Sequence, residues 1–227
     1  MRLTTEEILH NSFVVTIDGE RVAVFRKWFE DQGLIVPGTF EGYEILTPFF
    51  RQQFTCFKTA PKQDFRIMSA ICNNVSHWSI VQLAKFTNMP FVTIFEDDAK
   101  PVDNLKEKLD LFCSDIPDET DVLRLGYSKQ FKRSTSRKFV EAAVPHSDNL
   151  IVRNLSGSHA YMVFRKHYDT FIAENKVQPR CDYFKINPSL TKTVFALKES
   201  LFNQVNLPDR PVISSWKLED GTYKVNR

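Results

Sequence analysis

The sequence predicts an α/β fold, with a mixed, mostly parallel sheet flanked by helices. Three observations carry this. Residues 91–95, Phe-Val-Thr-Ile-Phe, form a short apolar run suited to a strand buried on both faces. Strand-like and helix-like patterns alternate, first at residues 13–32 and again at 91–126, as they do in α/β sheets. The 227 residues suffice for one such domain with a sizeable core.

Taken in order, residues 13–17 read as the first strand, and Asp18-Gly19 turns the chain. Residues 20–32 then suit a helix with Val22, Phe25 and Phe29 on one face and Gly33 as its stop. Residues 34–61 hold Pro37, Gly38, Gly42 and Pro48, a pattern of loops with short extended pieces. Asp64 suits the cap of a helix holding Phe65, Met68 and Cys72, interrupted at Asn73-Asn74. Ser76 then reads as the cap of a second helix over 77–87, with Ile80, Val81 and Ala84 inward. Asn88 and Pro90 end it, and the 91–95 strand follows.

Asp103 is the next expected cap, starting a helix with Leu105, Leu109 and Phe112. Residues 121–126 form a strand, expected beside the 91–95 strand. Residues 127–156 are the longest irregular stretch and carry Lys129, Lys132, Arg133, Arg137 and Lys138. They read either as a solvated loop or as a basic flap over an anion. Gly157-Ser158 precedes a strand over 159–164, and a helix with Tyr168, Phe171 and Ile172 follows. Residues 179–188 are a loop carrying Asp182, and 193–197 a late strand. The chain reads as a single domain over 1–227, with its core at about 13–204 and a C-terminal tail at 205–227.

Composition excludes several classes. A net charge of +2, from 30 basic and 28 acidic residues, gives no support for a nucleic-acid partner. Only 7 glycines argue against a Gly-rich phosphate loop as the main device. Cys56, Cys72, Cys113 and Cys181 contain no C-x-x-C pair, so free thiols in a reducing compartment are the simplest account. Glu6 and Glu7 stand where a signal peptide would need an apolar centre. No apolar run approaches the ~20 residues of a membrane span. The expectation is a cytoplasmic protein, at most resting on the inner face of a membrane.

The chemistry concentrates where the 91–95 strand ends, at Glu96, Asp97 and Asp98. Open α/β folds bind ligands at the carboxyl edge of the sheet. Adjacent carboxylates resist joint ionisation unless something screens them, and oxygen-only ligands suit Mg²⁺ or Mn²⁺. A solvated acidic turn is the alternative account.

Four blocks in order resemble glycosyltransferase family 25, the lipopolysaccharide and collagen galactosyltransferase group. They are the helix start containing Arg21, Asn74-Val75-Ser76-His77-Trp78, residues 91–98, and Gly157-Ser158-His159-Ala160-Tyr161. Cys181-Asp182-Tyr183 is a fifth, weaker one, and the likeness spans about 13–204. The resemblance implies a GT-A, Rossmann-like nucleotide-sugar-binding fold. It implies an inverting transfer of a hexose, galactose or glucose, from a UDP-sugar donor to a glycan or lipo-oligosaccharide acceptor, with Mn²⁺ or Mg²⁺ as cofactor. On this reading Asp98, Glu96 and His159 hold the metal. Arg21, Ser76, His77, Glu96, Asp97, Gly157 and Ser158 meet the donor. Asp182 is the candidate catalytic base.

Two other readings compete. One keeps the fold without the chemistry, as a glycan- or nucleotide-binding module or partner subunit. The other is metal-dependent phosphoryl transfer, which also uses acids at a strand end. No Walker lysine loop supports the latter.

Overall fold

The structure is a computed structural model describing residues 1–42, 65–128, 144–145, 150–152, 156–175, 194–197, 199–205, 216–217 and 223–224. The class is mixed α/β, as the sequence predicts. Helix α1 (Thr5–His10) leads into strand β1 (Ser12–Thr16), helix α2 (Gly19–Glu30) and strand β2 (Gly38–Glu41). Helix α3 (Phe65–Phe86) precedes β3 (Phe91–Glu96), β4 (Ala99–Pro101), α4 (Leu105–Phe112) and β5 (Val122–Ser128). The short β6 (Val144–Pro145) and β7 (Leu150–Val152) lead to the long β8 (Ser156–Phe164). A 3-10 turn (Arg165–His167), α5 (Tyr168–Asn175), β9 (Val194–Leu197) and β10 (Phe202–Gln204) follow. β11 (Trp216–Lys217) and β12 (Tyr223–Lys224) pair with each other.

The main sheet runs β2-β1-β3-β8-β5-β9-β7-β6. β1, β2 and β3 are mutually parallel. β8 runs antiparallel between β3 and β5. β9 is parallel to β5. The expected neighbourhood of residues 121–126 with the acidic strand is therefore corrected: nine-residue β8 occupies that place. Residues Gly157 and Ser158 lie inside this strand and do not precede it. β10 pairs with β4 and touches β5 at Phe202↔Gly126, so residues 202–204 belong to the main sheet.

Strand alternation sorts apolar side chains to two faces. One face carries Val14, Phe91, Phe95, Leu123, Leu125 and Met162 against Ile8 and Leu9 of α1, Phe25 and Phe29 of α2, and Leu105 and Leu109 of α4. Phe95 lies 4.9 Å from Phe202 and 5.8 Å from Phe25, ring centre to ring centre. Many of the phenylalanines thus build core. The other face carries Val15, Val92, Ile94, Tyr161 and Val163 against Ile80, Val81 and Ala84 of α3 and Tyr168 and Phe171 of α5. Burying each such large side chain contributes about 1.5–3 kcal/mol.

Local signals set the helix ends. Thr4 caps α1 through a capping box with Glu7. Asp18 caps α2, its carboxylate accepting from the Glu20 and Arg21 amides. Gly33 takes φ +64° just past α2, the stop expected of it. α4 departs from expectation, because its cap is Asn104 at φ 57° with no side-chain bond. The Leu105 amide is met instead by Gln32 Oε1 at 3.0 Å.

The two helices expected on either side of Asn73-Asn74 are one helix, α3. Asn74 is fully buried inside it, so tertiary packing overrides the weak helix propensity of asparagine. Ser76 is consequently no cap. Its hydroxyl donates to the Cys72 carbonyl one turn back, at 2.9 Å. His77, expected in the first turn of the second helix, lies well inside α3 instead.

Candidate functional site

Because β1 and β3 are parallel and in register, with Val15 beside Glu96, their carboxyl ends reach one edge together. Three predicted site residues meet there: Arg21, Asp97 and Asp98. Arg21 is placed by the capped first turn of α2, immediately after β1. Its Nη2 lies 2.5 Å from Asp97 Oδ1 and 3.8 Å from Asp98 Oδ2. Thr16 Oγ1, at the tip of β1, lies 2.8 Å from Asp97 Oδ2 and 2.9 Å from the Asp18 carbonyl.

The acidic triplet divides where β3 ends at Glu96 and the Asp97-Asp98 turn begins. Phe95 packs toward α2, and Asp97, two residues on, meets Arg21 of that helix. Ile94 packs toward α3, and Glu96 meets that helix. Asn73 Nδ2 of α3 donates to Glu96 Oε1 at 3.1 Å, and His77 Nε2 lies 3.7 Å from the same oxygen. Behind them His77 Nδ1 shares a hydrogen with the Tyr161 hydroxyl at 2.8 Å. Sequence reasoning does not group Asn73, His77, Glu96 and Tyr161. The available signal is the four-residue spacing of Asn73 and His77, which puts both on one helix face.

Asp98 is the second residue of the two-residue turn into β4. Its carbonyl accepts from the Lys100 and Val205 amides at 3.1 and 3.0 Å. Gln204 Nε2 donates to its Oδ2 at 3.0 Å. Gln204 thus joins the site from β10, a contribution that no local sequence pattern announces. Asp98 Oδ1 is buried and has no hydrogen-bond partner among the described residues, and the same holds for Arg21 Nε.

Burial pushes the Asp97 carboxyl up to about 6 from its ordinary 3.8. The Arg21 charge and the Thr16 hydroxyl pull the other way, while Asp98 and Glu96 add to the rise. Desolvation wins because only 9% of the side chain is exposed. The Thr16 hydroxyl suits both charge states. It donates to an ionised Asp97, or accepts from a protonated one while donating to Asp18.

The predicted metal set does not converge as it stands. His159 is buried and bonds the Phe202 carbonyl through Nε2 at 2.9 Å. Glu96 is engaged on the α3 face. No group of three or more candidate ligands forms among the described residues. Asp98 does fit a cation, because it presents a buried carboxylate oxygen that nothing described satisfies. One carboxylate with substrate phosphates and water is a common way to hold Mg²⁺.

Ser76 and His77 are buried within α3, and Gly157 and Ser158 lie on β8. Asp182, the basic stretch 129–138, Cys56 and Cys181 lie outside the described residues. Cys72 and Cys113 are buried free thiols. Among the described residues no helix is long and apolar enough to cross a membrane. Compared with models of known protein families the chain matches none, and a search of curated proteins finds no match.

Proposed function

We propose that this protein is a glycosyltransferase of GT-A type that moves a hexose from a nucleoside-diphosphate sugar, UDP-linked, to a hydroxyl of a glycan or lipo-oligosaccharide. One observation carries the reading. At the carboxyl edge of parallel strands, a cationic nitrogen of Arg21 and an anionic oxygen of Asp98 are both buried without a described partner. Buried polar atoms are normally satisfied, so this pair suits a ligand bringing both an anion and a cation. A diphosphate accompanied by a divalent ion is such a ligand. The ordered likeness to family 25 selects a sugar nucleotide among the diphosphates.

In the transfer, the acceptor oxygen bonds the anomeric carbon as the bond from that carbon to the phosphate oxygen breaks. The diphosphate leaves with the electron pair, and the acceptor proton goes to a base. When bound at Asp98, Mn²⁺ or Mg²⁺ supplies charge neutralisation of the leaving group. The chain's own residues bind and orient. Arg21 offers a planar guanidinium fork to phosphate oxygens. Asp97 holds Arg21 in place. Thr16 holds Asp97, and Asp18 holds the first turn of α2. Gln204 fixes Asp98 from the neighbouring strand. Asp182 remains the proposed base, from the sequence resemblance alone.

The test is a melting curve with UDP, Mn²⁺, or both, followed by a nucleotide-sugar panel read by released nucleoside diphosphate. UDP with Mn²⁺ should raise the melting temperature, and Asp98→Ala should abolish the rise while the protein stays folded. If no nucleoside diphosphate shifts melting with either metal, the transferase reading is lost and a binding module of another specificity is left.

A further inference from the structure

We propose that Arg21 is an exchangeable counter-ion: in the free protein it stands against Asp98, the carboxylate a divalent ion would use, and an arriving metal–diphosphate pair moves it from Asp98 to a phosphate. The inference rests on the transferase reading and adds a rule for how its site fills. Arg21 Nη2 serves two carboxylates unequally, at 2.5 Å from Asp97 and 3.8 Å from Asp98. The Asp97 contact anchors the side chain. The Asp98 contact is long and easily given up. Arg21 is also the more exposed partner, its side chain 30% exposed against 9% for Asp97, while its Nε is buried without a described partner.

Two carboxylates around one guanidinium leave one negative charge unmatched when both are ionised. A divalent ion arriving alone meets the Arg21 charge beside the oxygen it needs. A diphosphate arriving alone meets Asp98. Together each removes the obstacle to the other: the ion neutralises Asp98, and the phosphates accept Arg21. The site therefore binds the two ligands with mutual reinforcement, and the reinforcement runs through Arg21. By linkage, Mn²⁺ strengthens UDP binding by the same factor as UDP strengthens Mn²⁺ binding.

Calorimetry on the full chain tests this with three titrations: Mn²⁺ alone, UDP alone, and UDP at saturating Mn²⁺. In the wild type, Mn²⁺ should tighten UDP binding by about tenfold or more, within the usual range of coupling. Arg21→Gln frees both carboxylates. It should bind Mn²⁺ alone severalfold tighter than wild type, while the Mn²⁺ enhancement of UDP binding falls below about threefold. These opposite changes in one variant are not produced by general damage to the site. Arg21→Lys keeps Asp97 paired and guards against a folding defect. It should bind Mn²⁺ as wild type does, with the enhancement reduced because the fork is gone.

Should wild type bind UDP with Mn²⁺ while both variants keep its full enhancement, the counter-ion exchange is overturned and the transferase reading stands. An Arg21→Gln protein that folds yet binds Mn²⁺ no tighter than wild type also overturns it. If wild type binds neither ligand in any combination, the donor reading and the exchange fail together.

Discussion

Asp97→Asn puts the electrostatics of the strand tip to a quantitative test. Two forces oppose each other at Asp97: burial favours the neutral acid, and Arg21 with Thr16 favours the carboxylate. The balance lifts the group from 3.8 to about 6. Between those values the folded protein holds more protons than the unfolded chain. Stability therefore falls as pH rises through this window, and ionising Asp97 fully costs the fold about 3 kcal/mol. About 2 kcal/mol of this separates pH 7 from pH 4.5. The asparagine amide has no proton to exchange, so the comparison isolates the one group from the rest of the titration. Urea unfolding of both proteins at several pH values, followed by tryptophan fluorescence, gives the two stabilities. The wild type should gain about 2 kcal/mol on the variant between pH 7 and pH 4.5. A gap that stays constant would show that the Arg21 and Thr16 contacts cancel burial, and one that moves the other way on acidification that they outweigh it; either would refute the reasoning.

Three further outcomes follow from packing and capping. Gly126→Ala should destabilise by about 1–3 kcal/mol in urea unfolding, because a Cβ there would lie 2.8 Å from both the His159 ring and the Phe202 Cβ. Asp18→Ala removes the cap that satisfies the Glu20 and Arg21 amides. It should cost about 1 kcal/mol and, by loosening the turn that aims Arg21, weaken any UDP binding as well. Burial pushes the Cys113 thiol up to about 12. Native protein treated with iodoacetamide at about pH 8 should therefore show no label on Cys113 by peptide mapping, and full labelling in urea.

Much of the architecture is written locally. The 91–95 run announces β3 because a strand covered on both sides needs only apolar, β-favouring residues in sequence. Asp18 and Gly33 bracket α2 through short-range hydrogen bonds and a positive φ. The continuity of α3 is not written locally. Asn73-Asn74 favours a break, and the helix survives because Asn74 and His77 are buried against the sheet. The seat of β8 between β3 and β5 is also illegible, because chain order favours neighbours and this partner arrives well after β5 ends. At the site, the meeting of Arg21 with Asp97 follows from two parallel strands ending on one edge. The separation of Glu96 from Asp97 is legible in part, since it continues the alternation of β3 one residue past the strand's end. Gln204 is not, because only the β4–β10 pairing brings it to Asp98.

The place of β8 has a consequence for how the molecule is made. Until residues 156–164 have left the ribosome, β3 and β5 have no strand between them, and each presents a bare hydrogen-bonding edge. The chain up to that point is thus an incomplete sheet that must wait for its central member. Its insertion joins Phe91 to Phe164 on one side and Val122 to Val163 on the other. Folding should be slow for a chain of this size, and a polypeptide stopped before residue 156 should aggregate through those two edges.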